Sequence, residues 1–358
     1  MAAKFETFQV NLLCDEINGL ITLPKVAFEN LANGMNRYPI RLLTVGGTRS
    51  GLDDINFYSY DVSSDTWSIA TRYGGLNWRD ISCGRELSVA LFDEDKLLVA
   101  FIGGQNVSTP GAFIFDLATP SKKKQITRFS SDDAAFFAMR RGASFITLHN
   151  GRVLRFGGSV ANIYATSRRP FPAHAMFDPA TRAWSVVNIR MPLLVDALCV
   201  VLESGDVLVT GGIEIEDPTA AGGQTLSNNK CYILDMVSGT VRETGRMGVG
   251  RARHGGCLMT NGNVYVSGGT ITGEPTGLRH CEEYDIVRGE WSVREMLPGG
   301  RLDHTCTLVG DTKIMITGGT DHGMTPSYMY DTATQKFTLT AQLPLLYFTM
   351  YRTVALYE

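Results

Sequence analysis

The stretch Val264-Tyr265-Val266-Ser267-Gly268-Gly269 is one of six apolar segments in this chain that end in a pair of glycines. The other five are Leu42-Leu43-Thr44-Val45-Gly46-Gly47, Val99-Ala100-Phe101-Ile102-Gly103-Gly104, Val153-Leu154-Arg155-Phe156-Gly157-Gly158, Val207-Leu208-Val209-Thr210-Gly211-Gly212 and Ile314-Met315-Ile316-Thr317-Gly318-Gly319. Their first glycines are 57, 54, 54, 57 and 50 residues apart. A period of about 50 residues is typical of four-stranded sheets repeated around an axis.

Two further landmarks follow each glycine pair in a constant order. An aromatic or apolar residue precedes an aspartate at Tyr60-Asp61, Phe115-Asp116, Phe177-Asp178, Leu234-Asp235, Tyr284-Asp285 and Tyr330-Asp331. Six positions after the aspartate, five copies carry a large apolar residue: Trp67, Trp184, Val241, Trp291 and Phe337. In the second copy, an insertion at Ser121-Lys122-Lys123-Lys124 postpones this position to about Ile126. The three landmarks resemble those of the kelch family of β-propellers, over roughly residues 38 to 358.

The resemblance implies an all-β fold, a six-bladed kelch-type β-propeller over residues 37–358. The landmarks themselves are interpreted as fold residues, because glycine suits a crowded strand exit and large apolar side chains pack one blade on the next. The many glycines do not form a phosphate loop, since no Gly-Lys-Ser/Thr occurs and no Gly-x-Gly-x-x-Gly opens a helix.

Both ends of the chain bear on how the ring closes. The last segment, Tyr351 to Tyr357, resembles an opening strand but has no glycine pair after it, whereas the first repeat lacks an opening strand. We therefore expect the C-terminal strand to complete the first blade and remove the open sheet edges. Val26 to Glu29 is a rival for that place. Residues 1–36 are an N-terminal extension that forms extra strands, a partial blade or a docking arm, with strand-like pieces at Phe5–Val10 and Gly19–Leu23.

Composition excludes some classes of protein. The 358 residues carry 33 Lys and Arg against 36 Asp and Glu, a formal charge of −3, so no global charge favours nucleic acid or an anionic membrane. No apolar run approaches the roughly 18 residues of a membrane span. Charged residues from Lys4 to Glu16 occupy the place of a signal-peptide apolar stretch. The seven cysteines include no Cys-x-x-Cys pair, which favours buried free thiols in a reducing compartment. A cytoplasmic location is expected.

Binding function is expected on one face. Strands alternate in direction, so the loops after the glycine pairs and the loops between blades emerge together. These are long and varied, notably 70–86, 128–141, 159–174 and 213–229, whereas the turns on the other face are short.

Arginines recur on the longer-loop face. Those predicted to bind a partner are Arg49, Arg85, Arg141 (or its neighbour Arg140), Arg168, Arg169, Arg251, Arg301 and Arg352. Arg251-x-x-His254 and Arg301-x-x-His304 resemble the Arg-x-x-His of the kelch repeat, in which the arginine ties neighbouring loops together. The functional interpretation is a basic mouth for a carboxylate-bearing ligand, an acidic peptide or a neighbouring subunit. Acidic residues on the same face, such as Glu214 and Asp303, make the field mixed.

Two loop features lie outside the repeat. Trp78 falls out of the six-residue register and is either an interface anchor or a wedge beneath its own loop. The run Arg168-Arg169-Pro170-Phe171-Pro172 is basic, aromatic and stiff, which suits a docking element or a rigid connector.

Enzyme motifs are missing from the sequence. There is no Tyr-His dipeptide for a galactose-oxidase-like copper site, no His-Glu-x-x-His and no Gly-x-Ser-x-Gly elbow. We therefore expect no catalytic residue, metal or cofactor, and interpret the chain as a protein-interaction propeller or a structural subunit, within a virion or another large assembly. The alternative is a sialate-mutarotase-like enzyme that holds an anionic sugar in the mouth.

Overall fold

The computed structural model describes residues 5–6, 23–24, 41–46, 56–72, 83–92, 96–103, 111–116, 141–159, 174–215, 226–274, 276–320, 326–341 and 351–356. Within these ranges the secondary structure is 27 β-strands, and there is no helix.

The strands are numbered in chain order and grouped here by sheet. A short hairpin pairs β1 (Phe5–Glu6) with β2 (Leu23–Pro24). Sheet I begins with β3 (Arg41–Gly46), β4 (Asn56–Asp61) and β5 (Thr66–Arg72). Sheet II has β6 (Cys83–Phe92), β7 (Lys96–Gly103) and β8 (Gly111–Asp116). Sheet III has β9 (Arg141–Thr147), β10 (Val153–Ser159), β11 (His174–Asp178) and β12 (Ala183–Val187).

The second half of the chain continues the series. Sheet IV has β14 (Leu198–Val201), β15 (Val207–Thr210), β17 (Cys231–Leu234) and β18 (Val241–Thr244), and is extended at one end by the pair β13 (Leu193–Val195) and β16 (Ile213–Ile215). Sheet V has β19 (Gly255–Leu258), β20 (Val264–Ser267), β21 (Cys281–Asp285) and β22 (Glu290–Arg294). Sheet VI has β23 (Leu302–Val309), β24 (Lys313–Thr320), β25 (Tyr328–Asp331) and β26 (Lys336–Leu339). Strand β27 (Tyr351–Leu356) returns to pair with β3 in sheet I.

Sheets III to VI are four antiparallel meanders with the same strand order, and together they form a β-propeller arrangement. Their first strands contact one another in chain order, β9 with β14, β14 with β19 and β19 with β23. Because these first strands are the innermost ones, the fourth strands lie at the outside of the arrangement. The repeat predicted from the glycine pairs is therefore confirmed as a propeller.

The aspartate and aromatic landmarks together build the outer hairpin of each sheet. In each hairpin, the residue before the aspartate lies directly opposite the apolar residue that follows the aspartate by six positions. The pairs are Tyr60 with Trp67, Phe177 with Trp184, Leu234 with Val241, Tyr284 with Trp291 and Tyr330 with Phe337. The carboxylate of Asp235 accepts hydrogen bonds from the backbone N–H groups of Val237 and Ser238, at 2.7 and 2.9 Å. The Ser238 hydroxyl also donates to this carboxylate, at 2.7 Å. The hydroxyl bond and the two backbone bonds close the turn and lower the pKa of Asp235.

The glycine pairs mark the point where one sheet meets the next. Gly157, Gly211 and Gly268 all have positive φ, and a Cβ on any of them would lie closer to a backbone carbonyl oxygen of the following sheet than van der Waals contact allows. That carbonyl belongs to Leu194, Arg251 or Arg301 respectively. The same oxygens of Arg251 and Arg301 accept hydrogen bonds from the N–H of the second glycine, Gly212 at 2.8 Å and Gly269 at 2.9 Å. Glycine is required here by close backbone approach.

Apolar clusters fill the spaces between the sheets. One lies between sheets III and IV and includes Phe156, Leu194 and Val209, and another lies between sheets IV and V and includes Val200, Leu208 and Val266. The five cysteines whose side chains the structure describes, Cys199, Cys231, Cys257, Cys281 and Cys306, are buried and free. Their apolar surroundings agree with the prediction of buried thiols.

Candidate functional site

The candidate site is the loop face, which we define as the end of the sheets where the chain leaves each glycine pair and enters each first strand. In sheet IV the register pairs Val195, before the first strand, with Ile213, after the glycine pair, so both connections lie at the same end. The described residues of this face include Asp196, Glu214, Arg253 and Asp303. They form the base of this face within the described residues.

The innermost part of the loop face is a string of four equivalent residues. Gly142, Asp196, Arg253 and Asp303 each lie 15 positions before the first glycine of their own sheet. All four adopt left-handed backbone conformations, with φ between 57° and 65°. Asp196 N–H donates to Gly142 C=O at 2.9 Å, Arg253 N–H to Asp196 C=O at 3.0 Å and Asp303 N–H to Arg253 C=O at 2.8 Å. One backbone chain of hydrogen bonds thus crosses sheets III to VI.

The side chains of this string carry charge. The guanidinium of Arg253 donates from Nε to Asp303 Oδ1 at 2.6 Å and from Nη2 to Oδ2, a forked arrangement between sheets V and VI. Arg253 is 23% exposed, whereas the Asp303 side chain is fully buried. The field at the base of the face is therefore mixed in sign, as the sequence suggested. Arg253 was not among the predicted residues, although its fixed offset from the glycine pair identifies it as part of the repeat.

Arg251 is buried and acts as a brace within sheet V. Its Nη1 donates to the carbonyl oxygens of Gly268 and His280, at 3.1 and 2.8 Å, and its Nη2 forms an ion pair with Glu282. The other Glu282 oxygen accepts a 2.6 Å hydrogen bond from Gly248 N–H. Burial lowers the pKa of Arg251, while the negative charge of Glu282 opposes this shift. The guanidinium thus connects the end of β20 to the start of β21, where the His280 carbonyl also accepts a 3.0 Å hydrogen bond from Gly268 N–H.

Arg301 occupies the same position in sheet VI with a different set of partners. Its Nη2 donates to Pro326 C=O at 2.9 Å, and Nη1 approaches Gly318 C=O at 3.4 Å. Where sheet V has Glu282, sheet VI has Tyr328, and the guanidinium carbon lies 5.2 Å from that ring centroid. Burial lowers the pKa of Arg301 to about 10, so the group remains a cation at neutral pH.

Histidine follows each of these arginines by three residues and reaches the preceding sheet. His254 Nε2 lies 2.8 Å from Thr210 Oγ1, and His304 Nε2 lies 2.9 Å from Ser267 Oγ. Thr210 and Ser267 are the residues immediately before their glycine pairs. Burial lowers the pKa of both histidines well below the usual value, which keeps the rings neutral. The Arg-x-x-His pattern therefore has a structural use in both copies described.

One comparison with known proteins agrees with this architecture. No protein-family model matches the chain. A stretch of 88 residues is 34% identical to Kelch-like protein 23 of Mus musculus. The match covers 25% of this chain and 15% of the mouse protein, so the chain spans a small part of that relative's length.

The matched segment and the repeated sheets with their glycine, aspartate and aromatic landmarks point to the same family. These findings support a kelch-repeat β-propeller. In this propeller the Arg-x-x-His residues belong to the scaffold of sheets V and VI, and binding by Arg251 or Arg301 stays a prediction.

The other predicted binding residues differ in how much of them the structure describes. Arg49, Trp78, Arg168 and Arg169 lie outside the described residues. Arg85 and Arg352 lie within β6 and β27, and Arg141 is the first residue of β9, but only their backbone is described. The sequence spacing aligns Arg140, not Arg141, with Arg251 and Arg301, because Arg140 also lies 17 positions before the first glycine of its repeat. Each of these residues stays a predicted binding residue.

Metal-ligating and nucleophilic side chains bear on the chemistry of the described residues. Within them, no three His, Cys, Asp or Glu side chains come together in a group suited to a metal ion. Burial raises the pKa of Cys199 and Cys306 to about 12, so neither thiol forms a nucleophilic thiolate at neutral pH. No described helix is long and apolar enough to cross a membrane.

Proposed function

We propose that this kelch propeller is a protein-interaction module whose partner binds the loop face. The observation that carries the proposal is that the repeated arginines and histidines of that face have a structural use. The repeated residues Arg251, Arg301, His254 and His304 are buried in contacts with the scaffold. The loops outside the repeat pattern therefore supply the variable chemistry above a fixed base.

The predicted chemistry of the partner is acidic. Arg49, Arg168 and Arg169 follow glycine pairs and lie outside the Arg-x-x-His pattern, and Trp78 adds a large aromatic surface. Guanidinium groups bind carboxylates through forked hydrogen bonds, and an aromatic side chain suits the centre of an interface. An acidic peptide of a partner protein, or a neighbouring subunit with an acidic surface, fits this combination. A place in a virion or another large assembly is a finer form of the same proposal.

The test compares two charge reversals on opposite faces. Arg169→Glu should weaken binding to the protein recovered by affinity capture, and the attraction should fall with added salt, since exposed charges are screened over about 8 Å at physiological ionic strength. Arg288→Glu is the matched control, because Arg288 is 76% exposed beside a turn of the opposite face. Equal losses from the two variants, or binding that is insensitive to salt, would leave the arginines without a binding role.

We also propose that the propeller has six blades and is closed by its C-terminal strand. A strand pairing, the packing of β27 and two hydrogen bonds support this. Strand β27 pairs with β3 from Tyr351 opposite Gly46 to Leu356 opposite Arg41, and it packs beside β23 and β24. Beyond β26, Ala341 accepts a 2.9 Å hydrogen bond from Trp67 Nε1 and donates its own N–H to Asp65 at 2.7 Å, which links sheet VI to sheet I.

Deletion of residues 351–358 tests the closure. The shortened protein should lose its cooperative thermal transition, because sheet I loses its first strand and the ring acquires open edges. A cooperative transition with a midpoint close to that of the full chain would show that the C-terminal strand does not close the ring. The mutarotase-like alternative stays a prediction and has its own test, which is anomer exchange of an anionic sugar followed by NMR.

A further inference from the structure

We infer that β12, the outer edge of sheet III, is a second docking site that takes an extended segment of a partner protein as an added strand. Strand β12 pairs with β11 and has no strand on its other side in the described sheet order. An edge strand presents unpaired backbone N–H and C=O groups, and proteins shield such edges with charges, prolines or bulges. Strand β12 has no proline, no charged residue and an unbroken register.

A neighbouring sheet shows what a shielded edge looks like in the same molecule. Strand β22 has the same place in sheet V and almost the same sequence, Glu-Trp-Ser-Val-Arg against Ala-Trp-Ser-Val-Val. Its ends are charged by Glu290 and Arg294, and Arg294 Nε donates to Glu283 at 2.8 Å. Among the outer strands whose side chains are all described, β12, β18, β22 and β26, β12 is the one without a charged residue.

The exposed side chains of β12 suit strand addition. Val186 is 51% exposed, and Ala183 and Ser185 are exposed on the alternate positions. Side chains of adjacent strands meet directly on each face of a sheet, and β-branched pairs are among the favourable ones. An incoming strand with a β-branched residue opposite Val186 would cover that side chain while its backbone satisfied the edge.

The charges beside β12 select the partner. Arg182 and Arg190 flank the strand, both are exposed, and residues 179–195 contain no Asp or Glu. A partner segment with an acidic residue at each end complements these flanks. A second copy of β12, paired antiparallel about Val186, would instead place Arg182 opposite the partner copy's Arg190. This site lies at the outer edge of the sheet and does not depend on the proposed function of the loop face.

The experiment measures binding of a defined probe to the full-length protein by fluorescence anisotropy. The probe is a labelled ten-residue peptide in which valine alternates with threonine and each end carries a glutamate. We expect saturable binding that weakens about tenfold or more in the double variant Ala183→Glu/Val186→Lys, which gives β12 a charged edge. The matched control is Val293→Lys, because Val293 is the equivalent residue of β22 and is 69% exposed. This control should bind like the unsubstituted protein.

A second probe separates strand addition from simple charge attraction. A peptide of the same sequence with N-methyl groups on every residue cannot donate the edge hydrogen bonds and should not bind. Arg190→Gln should weaken the unmodified probe by a smaller factor than the double variant. Failure of the probe to bind, equal loss in Val293→Lys, or retention of binding by the N-methylated peptide would each overturn the inference. A dimer in sedimentation velocity that the double variant abolishes would also overturn it, in favour of self-association.

Discussion

The junction between sheets III and IV differs in chemistry from the junction between sheets V and VI, although the backbone is built in the same way. Before the glycine pair, sheet III has Phe156 and sheet V has Ser267. The facing position in the next sheet is Ala197 in the first case and His304 in the second. A Cβ added to Gly212 would lie 2.8 Å from the Cβ of Ala197 in the same sheet, and a Cβ added to Gly319 would lie 2.8 Å from the Cβ of His304. Ala197 and His304 therefore occupy equivalent positions.

The difference shows that the junction residues vary as matched pairs. A large apolar side chain faces a small one between sheets III and IV, and a hydroxyl faces an imidazole between sheets V and VI. The brace varies in the same manner, because Leu194 replaces the buried arginine and packs in the cluster that contains Tyr232. What both junctions keep is the close approach of a backbone carbonyl to the first glycine. The backbone contact fixes the geometry, and the side chains fill the remaining space.

The largest expected effect comes from the feature that the two junctions share. Gly268→Ala should destabilise the protein by more than about 3 kcal/mol, because the new Cβ collides with the Arg301 carbonyl and the left-handed backbone adds strain. Gly157→Ala should be equally damaging at the other junction, where Leu194 supplies the carbonyl. Urea unfolding of both variants measures the loss.

Gly239→Ala is the control for this comparison. Gly239 also has a left-handed conformation, with φ 71°, but a Cβ there meets nothing within 4 Å. Its loss should be limited to the conformational cost, about 1 to 2 kcal/mol. If Gly268→Ala and Gly239→Ala lost the same amount, the close approach of the carbonyl would have no energetic role.

The next effect tests whether the side chains act as pairs. Phe156→Thr alone should cost about 3 to 5 kcal/mol through the cavity that it leaves, and Ala197→His alone should overpack the junction. The double variant recreates the hydroxyl and imidazole pair found at Thr210 and His254, so it should recover about 1 to 3 kcal/mol relative to the sum of the single changes. Additive losses in a double-mutant cycle would contradict pairwise variation.

Most of the fold could be predicted because the landmarks have local causes. The seven-residue separation of Tyr284 and Trp291 closes a hairpin, and Asp285 between them caps the turn through its Oδ1. These are interactions between close neighbours in sequence. The number of blades and the closure stay predictions, because they depend on contacts between distant segments, such as Ala341 with Trp67.

The candidate site was harder to predict for a physical reason. An arginine beside a strand has the same sequence appearance whether its guanidinium is buried or exposed. Arg251 is buried because Glu282 and two carbonyl groups face it, and Glu282 lies 31 residues further along the chain. Arg251 fits the Arg-x-x-His pattern and Arg253 does not, yet the side chain of Arg253 is the partly exposed one.

The third effect is a dependence on pH that arises at the polar junctions. His254 and His304 are buried, and burial holds the pKa of each well below its usual value of about 6.5. The unfolded chain therefore binds protons below about pH 6.5 that the folded chain does not bind. Above that pH the two histidines do not reduce the free energy of unfolding. Below it, each histidine lowers the free energy of unfolding by about 1.4 kcal/mol per pH unit.

Urea unfolding between about pH 7 and pH 5 measures this dependence. His304→Gln should reduce the slope of the free energy of unfolding against pH, because one of the two titrating histidines is removed. Substitution at the apolar junction, where Ala197 occupies the histidine position, should leave that slope unchanged. An unaltered slope in His304→Gln would show that this imidazole becomes protonated within the folded protein.

The smallest effect concerns the outer layer of the junctions. Trp291 Nε1 donates to Gly245 C=O in the preceding sheet at 2.9 Å, whereas Trp184 Nε1 has no acceptor within the part of the chain that the structure describes. Trp291→Phe and Trp184→Phe remove the same volume, but only the first leaves a carbonyl without its donor. Trp291→Phe should therefore cost about 1 kcal/mol more than Trp184→Phe in urea unfolding. Equal losses would mean that the indole hydrogen bond adds nothing beyond packing, and the outer layers of sheets III and V would then be energetically alike despite their different contacts.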